Sequence, residues 1–502
     1  MDKEMSMQGW VLIAMISLFG FLSGCAENQD SAGNTTFTTF EAFSPPPRTA
    51  EVIPETADYS ALVQTNNELA VQFFQYTNIG LEDTSNASNG IVSAYGLSQT
   101  LAMVASGARG TTATEFPLGL DVSADPAAWS ESLYALNQIV DNGSSGFALR
   151  NAVWGQEGYR FLTEYLTSLS SFFEADLSAY PFKPLSDPQT GRVPVVIMYP
   201  DLGSGSYAPF GSYWLTLNDW IAEVPLQNSL VTYPVAQNDP DRTRLVFANT
   251  TQLMVDWPMT LTLSDSFEGL FETFDGIQHW VPILRQQGMF DFFQNGLLSA
   301  VDLPLGNGAQ SLLLITPSAG NYQAVFDNLT QHLSDITGSL EPTEMEVFVP
   351  EFTFSGEGEL NGFLKSLGFN EVYRDDYPGC LDNCGPDFTG INGQGYLRLE
   401  TMTRRAELSF ASEALNAASV TSAVLEATQD EPASVWDIPP FSNPGESGVI
   451  ITSCPNPTYI PEGMAHARPF IFVIRDTQTG AILYLGQLTD AGGSEAGSWV
   501  CP

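Results

Sequence analysis

Residues 414–425 read ALNAASVTSAVL, twelve consecutive positions without a charge, a proline or a glycine. An ordinary exposed loop carries turn residues, and this stretch has none. It follows an alternating strand pattern, Arg405-Ala406-Glu407-Leu408-Ser409-Phe410. At roughly 3.3 Å per residue the twelve residues make a strand of about 40 Å. Alternation sends Leu415, Ala417, Ser419, Thr421 and Ala423 to one face; all are uncharged, and all but Leu415 are small. Such a face suits a strand squeezed between existing strands over a packed core. Glu426 is the first charge, and Asp430-Glu431-Pro432 would stop further pairing. If about ten residues gained ladder hydrogen bonds at a net ~1 kcal/mol each, insertion would release on the order of 10 kcal/mol. That rivals the stability of a whole domain, about 5–15 kcal/mol.

Working outward, strand patterns occupy Leu245–Gln252, Leu312–Thr316, Glu346–Phe354, Tyr396–Phe410, Phe470–Arg475 and Ile482–Gln487. Helical periodicity marks Asp58–Asn78, with Leu62, Leu69, Phe73 and Tyr76 on one side, and again Ser98–Ala108 and Thr163–Phe173. Helices come early and strands crowd the later two thirds. This order predicts an α+β chain with large, mostly antiparallel sheets. Stretches 184–213 and 430–467 read as loop insertions. No linker interrupts 58–490, which is expected to be one domain followed by a tail, 491–502. Residues 25–57, rich in Thr, Ser, Asn and Pro, read as a tether.

Composition narrows the function. The chain has 502 residues and a formal charge of 17 − 58 = −41, yet only 15% of residues are charged. The average globular protein carries roughly 25%. Base is what is missing: lysine occurs only at positions 3, 183 and 365. With 43% hydrophobic residues the chain can bury a large core. A nucleic-acid partner is excluded for want of a basic face, and an anionic membrane surface is an equally poor partner for the body.

The N-terminus points to export. Gly9–Phe21, GWVLIAMISLFGF, is too short for a membrane span of about 20 residues and has the length of a signal-peptide core. Leu22-Ser23-Gly24-Cys25 follows and resembles the bacterial lipobox, making 1–24 a lipoprotein signal peptide and Cys25 the lipidated residue. The alternative is an ordinary signal peptide with a chance cysteine. By resemblance to lipoprotein sorting, Ala26 after the cysteine favours the outer membrane or the exterior face of the envelope. Four cysteines then remain, an even number that suggests disulfides in an oxidising compartment. Cys380 and Cys384 flank a short turn, PGCLDNCGP, which leaves Cys454 and Cys501 as the second expected pair. A single CxxxC without a neighbouring histidine offers no metal site, and no cofactor is expected.

Catalytic chemistry finds little support. There is no G-x-S-x-G, and His279, His332 and His466 lie in unremarkable settings. Asp375-Asp376 are adjacent in a loop pattern and read as a solvated turn. The chain is therefore not expected to be an enzyme.

Several segments together resemble the serpin family. Ser93-Ala94-Tyr95-Gly96-Leu97, continuing through Ala102-Met103 to Gly107-Ala108-Arg109-Gly110-Thr111-Thr112, resembles SPxSI…ALAM…GAxGxT. Leu217-Asn218-Asp219-Trp220-Ile221 is similar to INxWV. Phe247-Ala248-Asn249-Thr250-Thr251, with Trp257 eight residues after Asn249, is similar to VNAxYFKGxW. Val349-Pro350-Glu351-Phe352 with Leu364, Leu367 and Gly368 resembles LPKF…L..LG, and Asp387-Phe388-Thr389-Gly390-Ile391 resembles ADFSGI. Arg468-Pro469-Phe470-Ile471-Phe472, Ile474-Arg475-Asp476, Gly480, Ile482, Leu483 and Gly486 resemble DRPFLFxIxDxxTGxILFxG. The blocks keep the family's order across 58–490.

The resemblance implies three β-sheets, eight or nine helices and an exposed reactive-centre loop, here about 412–467. It implies a monomeric suicide-substrate inhibitor: a serine (or cysteine) protease cleaves the loop and is acylated, and the loop inserts into the main sheet. The alternative is a non-inhibitory surface binding protein of the same fold. The hinge corresponds to Ser412, Glu413, Ala414, Leu415, Asn416, Ala417, Ala418 and Ser419. The family's seventeen-residue count from Ser412 places the reactive bond at Thr428–Gln429, with Ala427–Thr428 and Leu425–Glu426 as near alternatives. Small or aliphatic residues there point to an elastase- or subtilisin-like target. The sheet-opening region corresponds to Ser93, Asn249, Trp257 and Arg404. Four positions depart from the pattern: Ser412 replaces an acid, Ala414 a glycine, Leu415 a threonine and Arg404 a histidine. Gly96 also stands where the family has serine. Bulky Leu415, first of the inward side chains, would slow insertion and favour turnover as a substrate.

Overall fold

The computed structural model describes residues 36–46, 59–77, 88–120, 126–180, 182, 220, 242–257, 265–375, 385–412, 414–428, 464–465, 468–492 and 494–495. Among these, a six-stranded sheet and a ten-stranded sheet face each other across one hydrophobic core. The six-stranded sheet runs β12 (Phe352–Glu359), β13 (Leu397–Phe410), β14 (Ala414–Ala427), β6 (Thr243–Asp256), β3 (Phe147–Gln156) and β5 (Asp176–Tyr180). The larger sheet runs β15 (Met464–Ala465), β11 (Glu341–Pro350), β8 (Gln278–Gln294), β9 (Leu298–Leu305), β10 (Gln310–Pro317), β16 (Phe470–Asp476), β17 (Ile482–Leu488) and β2 (Gly90–Val92). Two more strands, β7 (Asp265–Glu272) and β18 (Ser494–Glu495), pair with β8. A third, two-stranded sheet joins β1 (Phe37–Thr38) to β4 (Phe161–Leu162).

Nine α-helices lie among the described residues: α1 (Ser60–Thr77), α2 (Ala94–Ala105), α3 (Gly110–Leu120), α4 (Pro126–Val140), α5 (Thr163–Phe172), α6 (Tyr322–Asp327), α7 (Leu329–Thr337), α8 (Asn361–Ser366) and α9 (Thr389–Asn392). The expected α+β class and three-sheet architecture are present.

Helix α2 positions everything that follows. Ser93 caps it, the side-chain oxygen accepting from Gly96 N at 3.2 Å. Every residue from Ala94 to Ala105 is buried. Its small residues let it lie between layers, touching β6 and β14 on one side and β17 on the other. The core between the sheets gathers Leu245, Phe247, Leu253, Leu399 and Leu408 from one layer with Ile471, Val473, Leu483 and Leu485 from the other.

Three sequence expectations need correction. The strand read as Glu346–Phe354 is two strands in two sheets, β11 and β12. Glu351 separates them, and its N–H bonds to Pro282 O at 2.8 Å. The long strand β8 and its neighbour β9 were not expected, because their apolar and polar residues do not alternate cleanly. The stretch expected to be a tether docks in part. Residues 36–46 lie on the body, where Phe40 is buried against Phe161 with ring centroids 4.9 Å apart. Gly155 makes the room, since a Cβ there would sit 2.3 Å from Phe40. The Glu41 carboxylate accepts the Gly158 N–H at 2.8 Å. An aromatic side chain with an apolar slot gains more from burial than from solvation, whatever its polar neighbours in sequence. No described helix is long and apolar enough to cross a membrane. Insertion 184–213, residues 430–463 of the second insertion, Cys25, Cys380, Cys384, Cys454 and Cys501 lie outside the described residues, and with them the expected signal peptide, lipid site and disulfides.

Candidate functional site: the inserted strand and its cradle

The tract that opened the sequence analysis is not an exposed loop here. As β14 it lies between β13 and β6, antiparallel to both, from Leu415 opposite Phe410 to Ala427 opposite Leu397 on one side. On the other side Ala414 faces Asp256 and Glu426 faces Thr243. Ladder bonding on both edges satisfies a backbone that an exposed loop would leave to water. The inward set is as expected: Leu415, Ala417 and Ala423 are fully buried, and Ser419 and Thr421 are 2% exposed. The opposite face is covered as well, with Val424 packed beside Val246, Ala248 and Trp154. Trp220, from the Leu217–Ile221 segment, meets Trp154 edge-on at 5.6 Å.

The hinge end is a tight reversal, Ala411 N bonding to Ala414 O at 3.2 Å. Ser412 is exposed, Asn416 is half-buried, and Ala418 is buried; Glu413 lies outside the described residues. Trp257 closes this end. Its indole Nε1 donates to Ala411 O at 2.9 Å, and its ring meets Phe410 at 5.0 Å. Leu415 is accommodated without exposure, opposite Val255 and Phe410. The far end carries the candidate reactive bond. Leu425, Glu426 and Ala427 complete the strand, and Thr428 N donates to Tyr396 O at 2.9 Å. Gln429 lies outside the described residues.

The sheet-opening residues separate into two groups. Ser93 and Asn249 lie beneath the strand. Ser93 Oγ donates to Leu483 O at 3.0 Å and lies 3.4 Å from Thr251 Oγ1. Asn249 faces Thr421 in register, and its amide donates to Asn151 Oδ1 at 2.8 Å. Among the described residues its own Oδ1 has no hydrogen-bond partner, and it sits 2.8 Å from where a Gly96 Cβ would be. Arg404 stands apart, also opposite Thr421 but on β13. It donates to Ile91 O at 2.7 Å and covers the Phe73 ring at 5.1 Å. Burial pushes its guanidinium down to about 10, so it remains charged at neutral pH.

Three residues of this cradle carried no assigned role in the sequence reading. Thr251 Oγ1 lies 2.6 Å from Ser419 Oγ and 3.0 Å from the Tyr484 hydroxyl. Tyr484 donates to Ala417 O at 3.4 Å, and burial pushes its hydroxyl well above the usual phenol range, keeping it a neutral donor. Thr100 Oγ1 reaches Thr421 O at 3.5 Å. The available signal was the inward hydroxyl of Ser419, which needs a partner once buried.

The sequence model of the family described as Serpin (serine protease inhibitor) matches residues 64–191 and 215–491. The chain belongs to the serpin family. An uncharacterized serpin-like protein of Thermococcus kodakarensis is 25% identical over 490 residues, covering 96% of this chain and 99% of that one. A serine protease inhibitor of Cyanea capillata is 22% identical over 437 residues, 85% of this serpin and 97% of the relative. Among solved structures, cleaved Serpin 42Da superposes with a TM-score of 0.65 at 18% identity, covering 86% of this chain and all of that one. Serpins are in general protease inhibitors, not catalysts, and their targets are proteases.

Proposed function

We propose that this serpin is a suicide-substrate inhibitor of serine proteases. Its reactive loop is cleaved near Thr428, and residues 414–427 enter the main sheet while the protease is held as an acyl-enzyme. One observation carries the reading: Ala414–Ala427 is a full-length strand, paired on both edges, whose inward side chains are uncharged and buried. Insertion of that tract supplies the free energy, on the order of 10 kcal/mol, that distorting a bound protease requires. Leu425, Ala427 and Thr428 suit an elastase- or subtilisin-like enzyme. Incubation with such a protease is expected to give an SDS-stable complex, and loop cleavage to raise the melting temperature. Clean cleavage without a complex would overturn the reading.

A second reading, a non-inhibitory binding protein of this fold, is favoured by Leu415, which replaces a smaller inward residue at the hinge. The position of Cys25 after an apolar core supports an envelope lipoprotein exposed on the outer membrane, and a monomer is the state that the family resemblance implies. Loss of membrane retention in Cys25→Ser tests the anchor. Disulfides Cys380–Cys384 and Cys454–Cys501 belong to the same proposal and are checked by peptide mapping without reduction.

A further inference from the structure

The last residues of the inserted strand end in a set of charges that the serpin reading does not use. Glu426 is the first charge in the tract, yet it is 2% exposed. It lies across the ladder from Arg398 on β13, with its carboxylate 3.6 Å from the Arg398 guanidinium. Arg398 also pairs with Glu400 and, at 2.9 Å, with Asp375. One residue further on, Arg242 holds both backbone groups of Ala427. The Ala427 N–H donates to Arg242 O at 2.8 Å, and Arg242 Nε and Nη2 donate to Ala427 O at 2.9 and 2.8 Å. Asp375 lies 3.4 Å from Arg242 as well, so one carboxylate ties the two arginines together. Beyond Ala427, the acceptor for Thr428 N–H is Tyr396 O, on a residue held at φ 58°. Such left-handed backbone is strained for a non-glycine residue and persists only where its surroundings enforce it.

We infer that Arg242 and Arg398, joined through Asp375, form a terminal catch that receives Glu426 and Ala427 and fixes the end register of the inserted strand. The inference rests on loop insertion as proposed above. Arg242, Arg398, Asp375 and Tyr396 belong to elements flanking the strand; Glu426, Ala427 and Thr428 arrive with it. A strand stopped two residues short would leave Glu426 and Ala427 outside the ladder, so that Arg398 loses one of its three carboxylates and Arg242 its bonds to Ala427. Charge-assisted bonds are the stronger kind, and a partly inserted strand forgoes them. The catch therefore favours complete insertion over partial insertion. Complete insertion leaves Thr428 as the only residue between Ala427 and the candidate reactive bond. The arginines act as positioning residues that set how far an attached protease is carried.

The test is a double-mutant cycle with Arg398→Gln and Glu426→Gln, run on uncut protein whose loop is still protease-sensitive and on protein cleaved on the carboxyl side of Thr428. Coupling between the two positions is expected in the loop-inserted form and absent from uncut protein whose loop is still open to protease. Arg242→Gln is expected to shrink the rise in melting temperature on cleavage. Each variant is expected to shorten the lifetime of the covalent protease complex by roughly tenfold, the size of one net hydrogen bond. Equal coupling in uncut protein with a protease-sensitive loop and in the cleaved form would make the pair merely structural and overturn the catch. An undiminished rise and lifetime in the variants would overturn it too. A wild-type rise without any complex would defeat the inhibitor reading, and the catch would stand if the cycle still shows coupling in the cleaved form alone. No rise in the wild type would defeat both.

Discussion

The hydroxyl of Ser419 lies 2.6 Å from Thr251 Oγ1, at the point where the inserted strand meets β6 in register. Thr251 also reaches Tyr484 and the helix cap at Ser93, so one threonine joins the strand, the opposite sheet and α2. Thr251→Val removes the shared oxygen and leaves two buried hydroxyls short of a partner, an expected loss of about 1–3 kcal/mol in the loop-inserted form. Ser419→Ala leaves the Thr251–Tyr484 contact intact and should cost about 1 kcal/mol. Denaturant unfolding of cleaved protein checks the order of the two effects; equal losses would show that the network does not run through Thr251.

Ala417 is fully buried and its carbonyl accepts from Tyr484. In Ala417→Arg a guanidinium would have to enter the space beneath the sheet unpaired, at a cost of several kcal/mol. The variant is expected to be cleaved normally and to form no stable complex. Gel analysis of timed protease digests reads both outcomes, and a stable complex would count against insertion of this residue.

Leu415 presents a trade between rate and final stability. Its side chain is the first of the inward set and the bulkiest, yet the structure seats it without exposure. Leu415→Thr is expected to enter faster, lowering the number of inhibitor molecules consumed per protease inactivated. The inserted form then loses about 1–3 kcal/mol of packing, so the gain in melting temperature on cleavage shrinks. Titration of inhibitor against protease measures the first effect and thermal unfolding the second. An unchanged or higher consumption ratio would refute the hinge argument.

Phe40 ties residues 36–46 to the body through the space left by Gly155. Phe40→Ala is expected to cost about 3 kcal/mol, in the range for truncating a buried aromatic. Gly155→Ala should destabilise too, because its Cβ would lie 2.3 Å from a carbon of the Phe40 ring. Both losses belong equally to intact and cleaved protein, which separates them in unfolding experiments from changes at the inserted strand.

Much of the fold was legible in sequence, for a local reason. Strand alternation and helical periodicity are set by neighbouring residues, so β6, β10, β13, β16, β17, α1 and α5 were readable to within a few residues. The break at Glu351 was not, since it depends on which sheet receives each half of the strand. The docking of Phe40 depends on a missing Cβ more than a hundred residues away. At the site, Ser93, Asn249, Trp257 and Arg404 were named through resemblance alone; Ser93 and Asn249 lie beneath the strand, Trp257 at its hinge end, and Arg404 beside it on β13, donating to Ile91 O.

The sequence alone determined that residues 414–425 could become a strand and which side chains would face inward. A neutral run free of turn residues has an invariant two-residue period, wherever it pairs. Only the tertiary structure decided that the strand lies between β13 and β6, that Thr251 and Tyr484 receive it, and that Arg242 and Arg398 meet its end. Those contacts join positions far apart in the chain, and cross-strand register is set by packing and hydrogen bonds between elements, which no local pattern encodes.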